Sequence, residues 1–359
     1  MPHSPDLRVG LVGYGLAGAS FHAPLIATTP GLRLAAVVTR DAGRQRQAAA
    51  DHPGVRLVDD AAALWGRGAP PVDVVVVASP NRTHVPLARA ALDAGLAVVV
   101  DKPLAATVHD ARALVAHAAA LGRPLTVFQN RRWDGDFLTV RRLLAEGTLG
   151  AVHRFESRFE RWRPTPKPGW RERGDAEEAG GILFDLGSHL IDQARVLFGP
   201  VRQVYAEVDR RRAGVEVDDD SFVALTHASG VRSHLWMSAV AAGPAPRLRV
   251  LGSAGSYTKH GLDVQEAALR AGRRPEGADW GTEPAAAWGT VATGDGERAV
   301  ATERGDYGRF YAALVAAVRD GAPVPVDPRD AVAGIAVIEA ARRSASSGAV
   351  VTLEAPPAA

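Results

Sequence analysis

The segment Arg8–Gly18 constrains the fold of this chain more than any other, because it joins an apolar strand to closely spaced glycines. The strand residues Val9, Leu11 and Val12 lead directly into GYGLAG, which has the spacing GxGxxG. The first glycine permits a tight turn, the second lets the backbone approach a pyrophosphate, and the third lets helix and strand pack closely. The pattern predicts a dinucleotide-binding turn formed by Gly13, Tyr14, Gly15, Leu16, Ala17 and Gly18; a purely structural turn is the alternative.

Length and composition narrow the class of protein. The 359 residues are enough for two domains, and the net charge of +2 is close to zero. The longest basic run, Arg210–Arg212, has no aromatic residues around it, so we expect no nucleic-acid partner. Without cysteine there are no disulfides, thiolate metal sites or cysteine nucleophile. No apolar run reaches the roughly 20 residues of a membrane span, and no secretion signal is visible, so we expect a cytoplasmic protein.

The first 125 residues alternate between apolar strand-like runs and helical stretches, which predicts a Rossmann domain with a doubly wound parallel sheet. The valine runs fit strands that are buried on both faces of such a sheet. In a parallel sheet the ligand lies at the carboxyl ends of the strands. The expected strands are Leu7–Val12, Leu32–Val38, Val72–Ala78, Leu96–Val100 and Leu125–Phe128.

Residues 126–359 have a different texture, which predicts a second, α+β domain with an open, mostly antiparallel sheet and helices on one face. Two amphipathic helices are expected at Tyr307–Val318 and Asp330–Ser346, and a long ordered loop at Gly261–Arg304. The expected strands are Val152–Trp162, Val201–Asp209, Ser221–His227, Val231–Val240, Arg247–Leu251 and Val350–Leu353.

The end of the second strand bears on which dinucleotide binds. An acidic residue at that position favours NAD, whereas a hydroxyl with arginine accommodates the 2′-phosphate of NADP. Here the strand is followed by Thr39, Arg40 and Asp41, with Arg44 one turn later. These residues favour NADP, with NAD possible if Asp41 turns inward to the ribose. A solvated helix start would also explain the two arginines.

Two further strand ends should face the same ligand. Ser79, Pro80 and Asn81 follow the valine strand, with His84 just beyond, and their polar groups suit the pyrophosphate and nicotinamide ribose. Alternatively, Asn81 caps the next helix. The next strand, Val98–Val100, ends in Asp101, Lys102 and Pro103, and a lysine after three valines can bury its stem while its ammonium enters the cleft. A proline in this position can also form a cis peptide bond.

The segment Gly180–Asp192 carries a second candidate group. Asp185 and His189 are spaced i and i+4, so they share one face of a helix, and Asp192 lies on roughly the same side. Histidine titrates near neutrality, as a general base should. A buried His–Asp pair without catalytic function is the alternative. A metal site is a third reading, but no third ligand stands at a diagnostic spacing, and we expect no metal.

GYGLAG, the tripeptide DKP and GGILFDLGSHLID, in this order, resemble the Gfo/Idh/MocA oxidoreductase family over essentially the whole chain. The resemblance implies an N-terminal Rossmann domain for residues 1–125 and a substrate-binding and oligomerisation domain for residues 126–359. It implies that Lys102, Asp185 and His189 are catalytic. The family has glutamate where this chain has Asp101, so the geometry beside Lys102 is less certain.

Shorter stretches resemble a subgroup that includes NADP-dependent scyllo-inositol dehydrogenases, which implies NADP and suggests a polyol or sugar substrate. They are Phe21–Ile26, Asn130–Asp134 and Arg161–Pro164. Aromatic faces suit the C–H surfaces of a sugar and arginines suit its hydroxyls, so the candidates for the pocket wall are Arg131, Trp133, Arg163 and Trp170. Relatives are often dimers or tetramers, and an exposed sheet face would suit a homodimer or homotetramer.

The expected reaction is reversible hydride transfer between nicotinamide and a carbinol carbon of an inositol-like polyol. His189 takes the hydroxyl proton, Lys102 stabilises the charge on the same oxygen, and Asp185 holds the substrate or orients His189. Two alternatives stay open: a non-catalytic sensor of NADP and sugar with the same fold, and a reductase of a non-sugar substrate.

Overall fold

The computed structural model describes residues 5–66, 72–166, 174 and 176–354. Its first sheet has six strands, all paired in parallel, in the order β3-β2-β1-β4-β5-β6. This is the predicted doubly wound sheet. The strands are β1 (Leu7–Val12), β2 (Leu32–Val38), β3 (Arg56–Val58), β4 (Val74–Val77), β5 (Ala97–Asp101) and β6 (Leu125–Phe128).

The valine runs form the centre of this sheet, as predicted. Every side chain of β4 and of Val98–Val100 is fully buried, so both faces of these strands are covered. Helix ends are fixed by local chemistry: the Thr107 side chain accepts a hydrogen bond from the Asp110 N–H and begins the fourth helix. The helices between the strands are α1 (Ala23–Thr28), α2 (Ala42–Asp51), α3 (His84–Asp93) and α4 (Val108–Ala120).

The unit that contains this sheet is not continuous in sequence. It comprises the described residues up to Asn130 together with Val264–Trp280 and Asp306–Val332, whereas the sequence predicted one continuous second domain from residue 126 onward. The two returning segments carry α7 (Val264–Arg270) and α8 (Gly308–Asp320). Their apolar side chains pack on the first unit: Phe310, for instance, stacks edge-on against Phe128 at 5.0 Å. Such distant contacts leave no signal in local periodicity.

The second unit is built on a nine-stranded sheet in the order β14-β13-β12-β11-β7-β10-β9-β8-β15. All neighbours are antiparallel except β7 and β10, so the predicted mostly antiparallel sheet is confirmed. The strands are β7 (Val152–Glu160), β8 (Val201–Asp209), β9 (Asp220–His227), β10 (Arg232–Ser238), β11 (Leu248–Gly252), β12 (Ser256–Lys259), β13 (Gly289–Thr293), β14 (Gly296–Val300) and β15 (Val351–Thr352).

Alternation along the strands shows which face is covered. In β9, Val223 and Leu225 are buried and their neighbours Phe222, Ala224 and Thr226 are half-buried, so one face packs into the core. Helices α5 (Gly135–Ala145) and α6 (Ser188–Phe198) belong to this unit, and the boundary between the units falls within α9 (Pro328–Ser347). In the part of the chain that the structure describes, no helix has the length and apolarity to span a bilayer.

The expectation of a long loop at Gly261–Arg304 is wrong. The segment contains α7 and the hairpin β13–β14, whose first strand pairs with β12. The hairpin is hard to detect because β14 is an edge strand with four exposed residues out of five, and it therefore lacks an apolar pattern. Pairing with β12 supplies hydrogen bonds that the local sequence does not reveal.

Candidate active site

The glycines of the turn after β1 differ in why they must be glycine. Gly13 has a φ of +100°, and a Cβ there would lie 2.5 Å from the carbonyl oxygen of Ala78. A Cβ on Gly18 would overlap the carbonyl oxygen of Gly13. Gly15 is different, because the nearest atom to its Cβ position is Nη1 of Arg44, 3.9 Å away. The fold requires Gly13 and Gly18, whereas the open space at Gly15 fits a turn against which a pyrophosphate lies.

The side chains of the other residues in this turn differ in how exposed they are. Leu16 is half exposed, but the Tyr14 side chain is buried and its hydroxyl donates to Asp51 at 3.0 Å. Burial raises the pKa of Tyr14 above its usual value, so the phenol stays protonated. Only the main chain of Tyr14 is therefore available to a ligand.

At the end of β2 the two predicted arginines have different surroundings. Arg40 is engaged by the carboxylate of Asp60 at 3.0 Å and the carbonyl of Asp59 at 3.2 Å. The guanidinium of Arg44 lies beside Gly15, while its main-chain N–H donates to Asp41 at 2.9 Å. That bond caps α2 and is the main reason why the pKa of Asp41 falls below its usual value.

Thr39, the residue that directly follows β2, is buried, and its hydroxyl accepts a hydrogen bond from the Asp41 N–H at 3.3 Å. Asp41 thus contacts α2 through its side chain and Thr39 through its main chain. An Asp41 carboxylate engaged in capping is less suited to binding a ribose.

At the end of β4, Ser79 and Pro80 are half-buried and Asn81 is buried. The hydroxyls of Ser79 and Thr83 are hydrogen-bonded at 2.5 Å, and Thr83 also donates to the carbonyl of Pro80 at 2.6 Å. Asn81 begins a short 3₁₀ turn, and Thr83, not Asn81, is the residue that precedes α3. The alternative in which Asn81 caps that helix is therefore wrong.

The ring of His84 links two strand ends and is almost completely buried. Its Nδ1 lies 2.8 Å from the carbonyl oxygen of Pro103, and its Nε2 lies 2.9 Å from that of Ser79. Burial lowers the pKa of His84. Because both ring nitrogens face main-chain carbonyls, His84 positions the loops after β4 and β5; a direct contact with a cofactor, which the sequence suggested, does not fit this geometry.

Lys102 leaves β5 immediately after the fully buried valines, as predicted, and its peptide bond to Pro103 is cis. The lysine is half-buried. Asp101 accepts the main-chain N–H of Lys102 at 2.9 Å. Burial alone would raise the pKa of Asp101, but its interaction with His22, together with the charge of the nearby Lys102, holds it below its usual value.

In the second unit, Asp185 and His189 lie on one helical segment. A π-helical turn, Leu183–Gly187, runs directly into α6, so Asp185 belongs to the π turn and His189 to the α-helix. Asp185 is half-buried and His189 is buried, at 6% exposure. A π turn inside a helix is common at functional sites because it changes which side chains share a face.

Asp218 fixes the start of this helical segment. Its carboxylate accepts the N–H of Leu183 at 2.7 Å, and its carbonyl accepts the N–H of Ile182 at 2.9 Å. Gly181, with a φ of +94°, packs so tightly on that carboxylate that any side chain would collide with it. Burial raises the pKa of Asp218. The sequence analysis did not identify Asp218, because only folding brings it beside Gly181.

Asp192 is held in an ion pair. Its two carboxylate oxygens accept hydrogen bonds from Arg132 at 2.7 and 2.8 Å, the paired geometry typical of arginine and carboxylate. The next residue, Gln193, donates to the carbonyl of Arg131 at 2.9 Å. Through these contacts Asp192 and Gln193 hold α6 against Arg131 and Arg132, so Asp192 has a structural role.

The predicted pocket-wall residues are placed differently from one another. Arg131 is buried, lies 3.4 Å from Asp134 and stacks over the ring of Phe159 at 4.6 Å. Trp133 and Arg163 are half-buried. Trp170 lies outside the described residues. Among the residues that the structure describes, no cluster of three or more histidine or acidic side chains could hold a metal ion.

Comparison with known proteins shows which family models match this chain. A family model described as an oxidoreductase family with an NAD-binding Rossmann fold matches residues 7–129, and a model described as the GFO/IDH/MocA C-terminal domain matches residues 137–258. The Escherichia coli (strain K12) oxidoreductase YdgJ is 42% identical over 98% of this chain and 99% of its own.

Two further relatives match over nearly full length. The scyllo-inositol 2-dehydrogenase (NADP(+)) IolW of Bacillus subtilis (strain 168) is 32% identical over 97% of this chain and 96% of its own. A solved structure of the oxidoreductase YvaA from Bacillus subtilis has a TM-score of 0.92 and 32% identity, covering 99% of this chain and 100% of that one.

Proposed function

Since the chain belongs to the GFO/IDH/MocA family of oxidoreductases with a nicotinamide-binding Rossmann domain, we propose that it is an NADP-dependent dehydrogenase of a cyclic polyol or sugar. The observation that carries the proposal is Lys102, a half-buried cation that directly follows β5, a strand of the dinucleotide-binding unit whose three valines are fully buried. The inositol substrate named for IolW supports the substrate class.

The proposed chemistry divides between three side chains. When bound, the nicotinamide supplies the acceptor for the hydride that leaves the carbinol carbon. His189 takes the proton of the substrate hydroxyl, and Lys102 donates a hydrogen bond to the same oxygen as its negative charge develops. Asp185 holds the substrate or orients His189. A positioned base contributes about 10²–10⁴-fold in rate, so orientation and the cofactor must supply the rest.

The preference for NADP over NAD is supported by the surroundings of Arg44. Its guanidinium lies beside Gly15, whereas Arg40 is engaged by Asp60 and the carboxylate of Asp41 caps α2. A charge-assisted contact to the 2′-phosphate is worth about 1.5–3 kcal/mol. Arg44→Ala should therefore weaken NADP binding about 10- to 100-fold and leave NAD binding nearly unchanged. Arg46→Ala, on the same helix, is the matched control, and calorimetric titration measures both.

We also propose that the pocket-wall residues predicted from the sequence lie at or behind the surface that contacts the substrate. Trp133 and Arg163 are half-buried, which leaves part of each side chain exposed for a substrate. Arg131 is buried against Phe159, so we assign it a supporting position behind the pocket wall. We propose Trp170 for the pocket wall because an indole face suits the C–H surface of a sugar.

The test is turnover of NADP⁺ with a panel of inositols, other cyclic polyols and sugars, followed by absorbance of the reduced nicotinamide. We expect turnover with at least one polyol, and its loss in His189→Ala with cofactor binding intact. Cofactor binding without turnover on any substrate would instead support a sensor of NADP and sugar. Turnover restricted to imines or other non-sugar compounds would support the alternative reductase.

We also propose that the chain forms a homodimer or homotetramer through the outer face of the nine-stranded sheet. Phe222 and Trp236 face each other across β9 and β10 with ring centroids 5.1 Å apart, and Arg158 stacks over Trp236 at 3.9 Å. The same face carries Glu156 and Arg249, so it bears both signs of charge, as a self-complementary surface should. Light scattering of wild type and Trp236→Glu tests this: a monomeric wild type contradicts it. A cytoplasmic location stays a prediction.

A further inference from the structure

A buried tyrosine, a buried histidine and a half-buried aspartate lie next to one another beside Lys102 in the first unit. His22 is fully buried, and its Nδ1 lies 2.6 Å from the hydroxyl of Tyr311 in α8. On the other side of the ring, Nε2 faces Oδ1 of Asp101 at 3.8 Å. The ring also packs on Phe128, with centroids 4.3 Å apart, so it has little freedom to turn. Three segments that are distant in sequence thus meet behind the end of β5.

The protons in this group can be placed from their chemistry. Burial raises the pKa of Tyr311 well above its usual value, so the phenol keeps its proton, and in the proposed arrangement its O–H donates a hydrogen bond to Nδ1 of His22, 2.6 Å away. A neutral imidazole that accepts at Nδ1 carries its own proton on Nε2, which faces the carboxylate of Asp101. The Tyr311 hydroxyl then donates to His22, and the N–H of His22 is in turn directed at Asp101.

Asp101 connects His22 to the main chain of Lys102. Its Oδ1, the atom that faces His22, also accepts the main-chain N–H of Lys102 at 2.9 Å. The Nε2–Oδ1 separation of 3.8 Å is longer than a hydrogen bond, so the N–H of a neutral ring attracts the carboxylate as a dipole and not as a full charge. Among the described residues, Nε2 of His22 has no hydrogen-bond partner, and the acceptor that it faces is the Asp101 carboxylate.

We propose that His22 and Tyr311 are positioning residues, which hold the Asp101 carboxylate against the main chain of Lys102 and so fix the origin of the Lys102 side chain. This rests on the proposed role of Lys102 at the substrate oxygen. His84 completes the arrangement from the other side, because its Nδ1 faces the carbonyl oxygen of Pro103 at 2.8 Å. Two buried histidines therefore anchor the residues on either side of Lys102.

The placement of the proton is tested without any turnover, by ¹⁵N NMR of the histidine side chains. The chain has 11 histidines, and the signal of His22 is identified by its loss in His22→Gln. We expect a neutral ring with the proton on Nε2 and an accepting Nδ1, and a shift of the Nδ1 resonance in Tyr311→Phe. A proton on Nδ1 with a bare Nε2 overturns the proposal, because such a ring cannot donate to Asp101.

Kinetics test the consequence for the reaction. One buried hydrogen bond is worth a factor of about 3 to 10, so Tyr311→Phe should lower kcat by about that factor with cofactor affinity unchanged. His22→Ala should lose more, and His22→Gln, whose amide can still donate, should recover part of the loss. Tyr257→Phe is a matched control, because that tyrosine is also fully buried and its hydroxyl has no hydrogen-bond partner among the described residues.

A second control is His227→Gln in the other unit, where the buried ring contacts Gly199 and Ser233. Losses in both controls as large as those in the test variants overturn the proposal. If the wild type turns over none of the substrates, the proposed function fails instead. The NMR result then still decides whether His22 is oriented toward Asp101.

Discussion

Gly13 and Gly15 are two residues apart in the same turn, yet the structure predicts opposite consequences when each is replaced by alanine. At Gly13 the added Cβ would lie 2.5 Å from the Ala78 carbonyl oxygen, with a φ of +100°. The left-handed backbone costs about 1–2 kcal/mol, and the collision adds about 1–3 kcal/mol. Gly13→Ala should therefore lower the free energy of unfolding by about 2–5 kcal/mol, a large part of the stability of an ordinary domain.

Gly15→Ala should leave the free energy of unfolding within about 0.5 kcal/mol of the wild type, because nothing lies closer than 3.9 Å to the new Cβ and the φ of Gly15 is not left-handed. Its effect should fall on the cofactor. If the methyl group displaces one charge-assisted bond to the pyrophosphate, affinity falls about 10- to 100-fold.

Urea unfolding followed by tryptophan fluorescence measures the stability of each variant, and calorimetric titration with NADP⁺ measures affinity. Gly54→Ala is the control for the backbone term, because Gly54 has a φ of +83° with no atom within 4 Å of its Cβ position. That variant should lose only about 1–2 kcal/mol. The reasoning is refuted if Gly15→Ala binds NADP⁺ like the wild type, or if it loses as much stability as Gly13→Ala.

Three predictions concern the second unit. Ala179 has a φ of +44°, so Ala179→Gly should raise the free energy of unfolding by about 1 kcal/mol in a urea titration; a loss would contradict strain there. Asp192→Ala leaves Arg132 largely buried without its ion pair, and calorimetry should show a loss of about 3–5 kcal/mol, whereas less than 1 kcal/mol would count against it. The pKa of Asp218 is raised in the folded state, so its ionisation destabilises the fold as the pH rises above the unfolded value. The stability of Asp218→Asn relative to the wild type should therefore increase as the pH rises above about 4, the pKa of an unfolded aspartate, and a stability difference that stays constant with pH would contradict this.

The first sheet could be read from the sequence because buried parallel strands are short, nearly continuous apolar runs. β4 and β5 are the clearest cases, since their valines have no polar alternation to confuse the pattern. β3 was missed: it is a three-residue edge strand with one buried side chain. The hairpin β13–β14 was missed for the same reason, because edge strands are specified by their partners more than by their own residues.

The candidate site could be predicted where chemistry follows local sequence. The glycine turn and Lys102 at the end of β5 each lie next to a recognisable strand. The side chains that we propose to position Lys102 could not be predicted in this way. His22 and Tyr311 are 289 residues apart, and the fold alone brings them into contact. The sequence places His84 just beyond the end of β4, but its contacts depend on carbonyl groups whose direction no sequence pattern reveals.

Lys102 and His189 carry the central claim, that an ammonium and an imidazole act on one substrate oxygen, and a double-mutant cycle on kcat tests it most directly. Lys102→Met and His189→Gln are measured singly and together with NADP⁺ and the best polyol, and cofactor affinity is checked in each variant. Groups that act as a unit are strongly non-additive. We predict that the double variant is little slower than the slower single variant. Losses that multiply independently would contradict the claim.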